Sequence, residues 1–586
     1  MKNILIILVT VILLSSCDDL FSPAIENNRD REQMHEDPTY ALGILLNGYT
    51  RIPSGGWSFS DVSTDDAVSN DQNNSYRKIA TGQWAANNNP TDQWTNAFAA
   101  IQYMNIMLEE SDKVNWADDE DLKRLFNDRT KGEAYGLRAL FMYYLLQAHG
   151  GWTEGGELLG VPILTASQGE GSDFNQPRAT FEKCMEQLND DLDKAEELLP
   201  LDFEDVGSDA EVPAQYPGIS KDNYNRVFGA YSRLRITKRI TEAIRTQAAL
   251  LAASPAFSEG TSTTWQDVAN YAAKVLNRIG GVNGIDPNGW TWYDNRSEID
   301  NLKEGVNPKE ILWRNNTGDS RSLEEEHYPP TLYGKGRLNP TQNLVDAFPM
   351  LNGYPIADIS SSGFDAKNPY ENRDPRLKRY IVVHNSKMGP AGETIDILTS
   401  STNDGVNHTE TSTRTGYYMR KLLREDVNLN PIMINQQRHY IPHIRYTEMY
   451  LIYAEAANEA WGPTGTGQHG FSAYDVIKVI RQRAGVGRDN GDPYLESIKN
   501  DKTRMQEMIR NERRLELCFE GFRFWDLRRW KVETRILTET AKGIMNTNYN
   551  PITVENRLYK EHMFYGPIPY EEVMKWDELI QNKGWK

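Results

Sequence analysis

The sequence predicts a mainly α-helical protein whose helices stack in pairs, and three observations lead there. Apolar residues recur at three- and four-residue spacing through eight separate stretches, the mark of helices with one buried face. The segments between them are long, irregular and rich in Gly, Asn, Ser, Thr and Pro. Runs of β-branched and aromatic residues that suit strands are few and short. A hydrophobic fraction of 39%, with 14 Trp, 29 Tyr and 17 Phe in 586 residues, supplies a large core.

At the amino terminus Met1-Lys2-Asn3 precedes an apolar run from Ile4 to Leu14, too short for the roughly 20 residues that cross a bilayer. That order is an export signal, predicted over residues 1–16. Small residues then lead into Cys17, as in the lipobox of bacterial lipoproteins, so Cys17 is the expected lipidation site. Each buried acyl methylene contributes about 0.8 kcal/mol, and several chains hold a soluble body at a membrane. Residues 17–31 read as the lipidated cysteine and its polar tether. Residues 32–586 read as one domain, with a helical scaffold at about 32–280 and 440–586 and a loop-rich insertion at about 281–439. Cys184 and Cys518 lie among apolar neighbours and read as core thiols.

The predicted helices are Trp94–Glu110, Glu133–Leu146, Phe181–Leu199, Ile236–Ala253, Val268–Ile279, Tyr446–Trp461, Tyr474–Arg483 and Met505–Phe519. Gly150-Gly151 ends the second of them. Ala454, Ala456, Ala457 and Ala460 let a neighbour approach Tyr446–Trp461 closely, and helix pairs of this kind suggest a tetratricopeptide-like solenoid, although no clean repeat period is present. Strands are predicted at Ile311–Arg314, Tyr380–His384 and Tyr418–Leu422. Irregular stretches at about 201–224, 282–307, 315–343 and 385–416 are long enough to be functional loops.

A formal charge of −19 argues against nucleic acid or an anionic lipid surface as the partner, which leaves membrane contact to the lipid anchor. No cofactor or metal is predicted. Gly465-Thr466-Gly467-Gln468-His469-Gly470 matches a dinucleotide fingerprint in letters only, because it follows a helix instead of a strand. His439 and His443 would share a helix face, but Pro442 forces an extended chain that spreads them roughly 13 Å apart. With 83 acidic residues, any catalytic carboxylate pair can be imagined, and none is singled out.

An ordered set of motifs runs through the chain. It comprises Gly132-Glu133-Ala134, Leu137-Arg138-Ala139-Leu140, Arg373-Asp374-Pro375-Arg376-Leu377, Ile444-Arg445-Tyr446-Thr447-Glu448 and Tyr453-Ala454-Glu455-Ala456. Further on come Ile480-Arg481-Gln482-Arg483-Ala484-Gly485, Asn511-Glu512-Arg513-Arg514, Glu520-Gly521-Phe522-Arg523 and Asp526-Leu527-Arg528-Arg529-Trp530. With the lipobox, this set resembles the SusD/RagB family of outer-membrane lipoproteins over nearly the whole mature chain. The resemblance implies a tetratricopeptide-like helical scaffold with a loop-rich ligand-binding half and a few short strands. It also implies a lipoprotein on the outer face of the outer membrane that captures a glycan and hands it to a SusC-like TonB-dependent transporter, without altering the sugar. Some members take peptides instead, and a surface glycosidase or a purely structural role on the transporter is a further alternative.

The helix near Met505 carries Glu512 on its apolar face, and a buried carboxylate must be paired. A turn at Gly521 brings Arg523 or Arg528 back as the expected partner of a structural clamp. Arg445 with Glu448, and Glu133 with Arg138, read as similar pairs. Sugar rings pack flat C–H faces on aromatic rings, so ligand residues are sought among loop aromatics. These are Trp57, Trp84 before Asn87, the group Trp290, Trp292 and Tyr293, and Trp313 ahead of Asn315-Asn316. Asp65 and Asp66 are expected to accept from sugar hydroxyls and Arg373 to donate, with a structural use of Arg373 the stronger alternative.

Overall fold

The computed structural model describes residues 31–53, 59–399 and 402–585. The export signal, Cys17 and Trp57 lie outside the described residues. Ten helices make the scaffold: α1 (Pro38–Thr50), α2 (Trp94–Glu110), α3 (Glu120–His149), α4 (Phe181–Leu198), α5 (Lys238–Ala253), α6 (Trp265–Asn277), α7 (Tyr446–Trp461), α8 (Ala473–Ala484), α9 (Lys502–Glu516) and α10 (Phe522–Arg529).

From α1 to α8 each helix packs on its predecessor in the chain, and α9 returns to α7. That serial stacking is the geometry of a solenoid. It survives the long insertion between α6 and α7 because the alanine-rich face of α7 lies directly on α6. Side-chain caps fix the starts: Asp119 for α3, Thr180 for α4 and Thr237 for α5, with full capping boxes from Thr264 and Asp267 on α6 and from Ser472 and Asp475 on α8. Gly485, at φ 97°, ends α8 in the left-handed region.

Two cores result. The larger follows the solenoid, and the second is built mostly from the insertion, with Tyr380, Ile381, Tyr417 and Tyr418 at its centre and Leu515 and Phe519 reaching in from the end of α9. Sheets are minimal. They are two-stranded antiparallel pairs, among them β1 (Ala67–Ser69) with β3 (Leu338–Pro340), and β2 (Ile311–Arg314) with β4 (Pro442–Arg445). No helix of the described residues is long and apolar enough to cross a membrane. Cys184 and Cys518 are both free and buried.

Several of the motifs converge on one buried ion network. Glu512, Glu516 and Glu520 stand four residues apart, at the end of α9 and just beyond it, and form one acidic stripe. Glu512 accepts from Arg376 at 2.9 Å and Arg481 at 2.8 Å. Glu516 accepts from Arg376 and Arg483, and Glu520 from Arg445 and Lys421. Burial alone would raise the Glu516 carboxyl, yet Arg483, Arg376, Arg445 and Lys421 pull it down to about 2.

The clamp therefore exists, but its expected partners need correction. Arg523 forms a two-pronged contact with Asp65 instead of Glu512, at 2.9 Å for each bond. Arg528 meets no carboxylate within ion-pair distance among the described residues. It lies over the rings of Trp84, Phe524 and Trp525 and donates to the Phe564 carbonyl. The other two pairs are also exchanged. Arg138 binds Asp191, while Glu133 meets Arg129 and Arg235. Arg445 binds Glu310 and Glu520, while Glu448 accepts from Gln247.

Asp61, buried beside Asp66, yields a pH prediction. Desolvation first, and then the Asp66 charge, raise its carboxyl to about 7. The unfolded chain gives up this proton near the ordinary 3.8, so the group's contribution is full below about 4 and is lost as pH rises through 7. Asp61→Asn is expected to raise the melting temperature more at pH 8 than at pH 5. An equal change at both values, measured by differential scanning calorimetry, would rule out a protonated Asp61.

Candidate functional site

Most of the aromatic rings expected to meet ligand are turned inward. Trp84 is 4% exposed and packs against Phe524 and Trp585 with its Nε1 donating to Asn89. Trp292 and Tyr293 are buried in the insertion core, where Tyr440 and Tyr380 flank them. Trp290 is half-buried against Tyr380. A Trp ring in a loop still carries a large apolar surface, and burying it stabilises more than stacking it on a sugar in water.

The polar candidates are corrected in the same way. Asp65 and Asp66 are both buried, Asp65 pairing with Arg523 and Arg514, and Asp66 with Arg514. Arg373 is buried and donates to the carbonyls of Pro369, Val345 and Phe348, so it staples the chain at those turns. Asn87 is exposed, but it borders none of the cavities described below.

Trp313 is also turned inward, at 2% exposed, but among the described residues of the expected set it is the ring that lines the walls of the three cavities described below. The β2–β4 pairing sets Trp313 opposite Ile444, which brings the His443 ring to 4.6 Å from its own. Burial lowers His443 to about 4, so this imidazole is neutral at pH 7. The indole Nε1 of Trp313 donates to the Leu234 carbonyl at 2.8 Å. Behind this wall a recess of about 250 Å³ runs between α3, α5, α7 and α10. In front of it opens a cleft of about 570 Å³.

The ring that the outer cleft presents is Tyr231, which is 67% exposed. Its hydroxyl is tied to the Arg226 carbonyl and to the Arg129 guanidinium. The ring is thus held at its polar end while its faces stay in water. Tyr49 lines the same cleft, half-buried, with its hydroxyl on Glu133 at 2.6 Å.

Asn315 and the exposed Asn316 supply amides, with the Asn315 side-chain oxygen accepting from the Ile441 N–H. Arg233, Arg235 and Arg314 also line the cleft, together with the exposed Glu304. Between the first two arginines Leu234 takes φ 76°, a left-handed conformation that costs a non-glycine residue on the order of 1–3 kcal/mol. Such strain is stored where surrounding contacts over-determine the backbone, and here the Trp313 indole holds the Leu234 carbonyl.

Sequence reasoning missed Tyr231 because it looked for tryptophans and asparagine-rich loops. The usable signal was an aromatic residue two positions ahead of Arg233-Leu234-Arg235, in the turn between two helical runs. Among the described residues no group of three or more His, Cys, Asp or Glu is placed to hold a metal. His439 and His443 lie on extended strands, as Pro442 requires. His439 bonds to Gln437 and Glu324, and His443 stacks on Trp313.

A helical solenoid carrying a loop-built cleft with an exposed, tethered aromatic ring defines the class of a ligand-binding scaffold. The comparisons with known proteins give it a family. The SusD family model matches residues 307–585, and one described as starch-binding associating with outer membrane matches residues 50–221. The chain belongs to the SusD/RagB family. It is 23% identical to SusD-like protein P38 of Formosa agariphila over 550 residues, covering 90% of this chain and 91% of that one. A SusD-like protein from Bacteroides fragilis has the same fold, with TM-score 0.71, 23% identity and coverage of 96% of this chain and 100% of that one. A SusD-like carbohydrate binding protein from the same species aligns at TM-score 0.67 and 20% identity, covering 92% and 98%.

Proposed function

We propose that this protein binds a glycan in the Tyr231 cleft without changing it chemically, as an outer-membrane lipoprotein anchored through Cys17 and facing the cell exterior. The captured oligosaccharide passes to a SusC-like TonB-dependent transporter. The observation that carries the reading is the Tyr231 ring, tethered by its hydroxyl and open on its faces, beside the amides of Asn315 and Asn316. A fixed ring loses little conformational freedom on binding, so the gain from stacking a sugar on it is not offset by ordering. Support comes also from the starch-binding family model that matches residues 50–221, and from the likeness to a SusD-like carbohydrate binding protein of Bacteroides fragilis.

The test uses the soluble chain beginning after Cys17, titrated with a panel of oligosaccharides and peptides by calorimetry. The expected result is saturable binding of one sugar class, with no new reducing ends after prolonged incubation. Binding confined to peptides, or release of reducing ends, would overturn the reading.

A further inference from the structure

The charge around the cleft is opposite in sign to the charge of the molecule. The whole chain carries −19. On the other side of the strained Arg233-Leu234-Arg235 turn lies a second cavity, of about 380 Å³, which shares Arg233, Leu234, Arg235, Gly305 and Trp313 with the first. Together the two walls present five basic residues, Arg233, Arg235, Arg239, Lys309 and Arg314, against three carboxylates, Asp202, Glu204 and Glu304.

Those carboxylates leave positive charge over. Asp202 is taken up by a two-pronged contact from Arg239, at 2.8 and 2.6 Å. Glu204 reaches Arg233 only at 3.8 Å. Arg235 shares the single buried carboxylate of Glu133 with Arg129, so that trio is itself one positive charge in excess. Arg314 is the most telling. It is 1% exposed, donates to the neutral carbonyls of Asn315 and Val306, and has no ion pair among the described residues. Its Nε meets no protein acceptor. Burial holds it below the ordinary guanidinium range, and only Tyr440 opposes that shift. Lys309 likewise carries no ion pair among the described residues.

An unneutralised, desolvated arginine is costly unless something brings a counter-charge. The rest of the surface is acidic enough to repel anions, so a local basic wall acts by focusing them into the cleft. From this excess we infer that the glycan bound beside Tyr231 is anionic, carrying carboxylate or sulfate groups that Arg233, Arg235 and Lys309 receive, with the buried charge of Arg314 adding to the field behind them. This rests on the proposed glycan binding and narrows it to a substrate class. It also departs from what net charge alone suggests, because a net value averages over a surface while a ligand meets one wall.

The experiment titrates the soluble chain with three probes of matched length: neutral galacto-oligosaccharide, oligogalacturonate and sulfated galactan oligosaccharide. Each is run at 50 and at 300 mM NaCl. The expected result is at least tenfold tighter binding of one acidic probe than of the neutral one, weakened several-fold by salt. Uronate and sulfate are told apart by which acidic probe binds. Lys309→Gln, at an exposed position, and Arg233→Gln, at a half-buried one whose folding is checked by its thermal melt, should each lower that affinity several-fold, and Glu304→Gln should raise it. Equal or tighter binding of the neutral probe, without salt dependence, overturns this inference while leaving glycan binding standing. Binding of none of the three, with peptides bound instead, overturns the glycan reading itself.

Discussion

Glu512→Ala is expected to cost about 3–5 kcal/mol of stability, the range for breaking a fully buried ion pair from one side. The loss comes from what remains. Arg376 and Arg481 both point a guanidinium nitrogen at the vacated carboxylate, at 2.9 and 2.8 Å, and neither can reach water. Arg376 keeps Asp374 and Glu516, and Arg481 keeps Asp492, which sets the effect below that of an isolated buried charge. Glu512→Gln keeps the shape and a hydrogen-bonding oxygen, so it should lie between the wild type and the alanine variant. Thermal melts of the three proteins measure this, and an unchanged transition for the alanine variant would contradict the network.

Trp84→Ala is the second large effect, and it separates core from site. The ring is closed in by Phe524, Trp585 and the Arg528 guanidinium, whose centre is 5.1 Å from it. Removing a buried Trp costs about 3–5 kcal/mol through lost burial and the cavity left behind. Arg528 would lose one of the three rings that shield a cation with no carboxylate partner, so the higher part of that range applies. The melting temperature should fall markedly while the affinity of the still-folded protein for its ligand stays as in the wild type. A normal melt with lost binding would return Trp84 to the ligand site.

The helices were legible because a 3.6-residue period is written locally. Trp94–Glu110 and Tyr446–Trp461 match their predicted bounds residue for residue, and the strand Ile311–Arg314 does too. The first turns of α3 were missed because residues 120–132 bury only a few side chains, such as Leu122 and Leu125, among charged neighbours. Ion-pair partners were not legible at all, since Glu512 and Arg376 lie 136 residues apart and meet only once the insertion has docked on α9.

The ligand region was half legible. Trp313 and the Asn315-Asn316 pair lie on the wall of the proposed cleft, although the Trp313 ring itself is buried. Whether a loop ring faces ligand or core is settled by tertiary burial, however, and this placed Tyr231 in water and Trp84, Trp292 and Tyr293 inside. The acidic composition gave no sign that arginines gather at one turn, because a net charge averages over the whole chain.

In the proposed function one fixed, exposed ring, Tyr231, receives the ligand. Calorimetric titration of Tyr231→Ala with the oligosaccharide that the wild type binds best tests it directly. The expected result is a loss of about 2 kcal/mol, roughly 30-fold in Kd, in a variant that stays folded and whose melting temperature falls only modestly, by the two hydroxyl hydrogen bonds to Arg226 and Arg129 that it gives up. Wild-type affinity in the folded variant would contradict it.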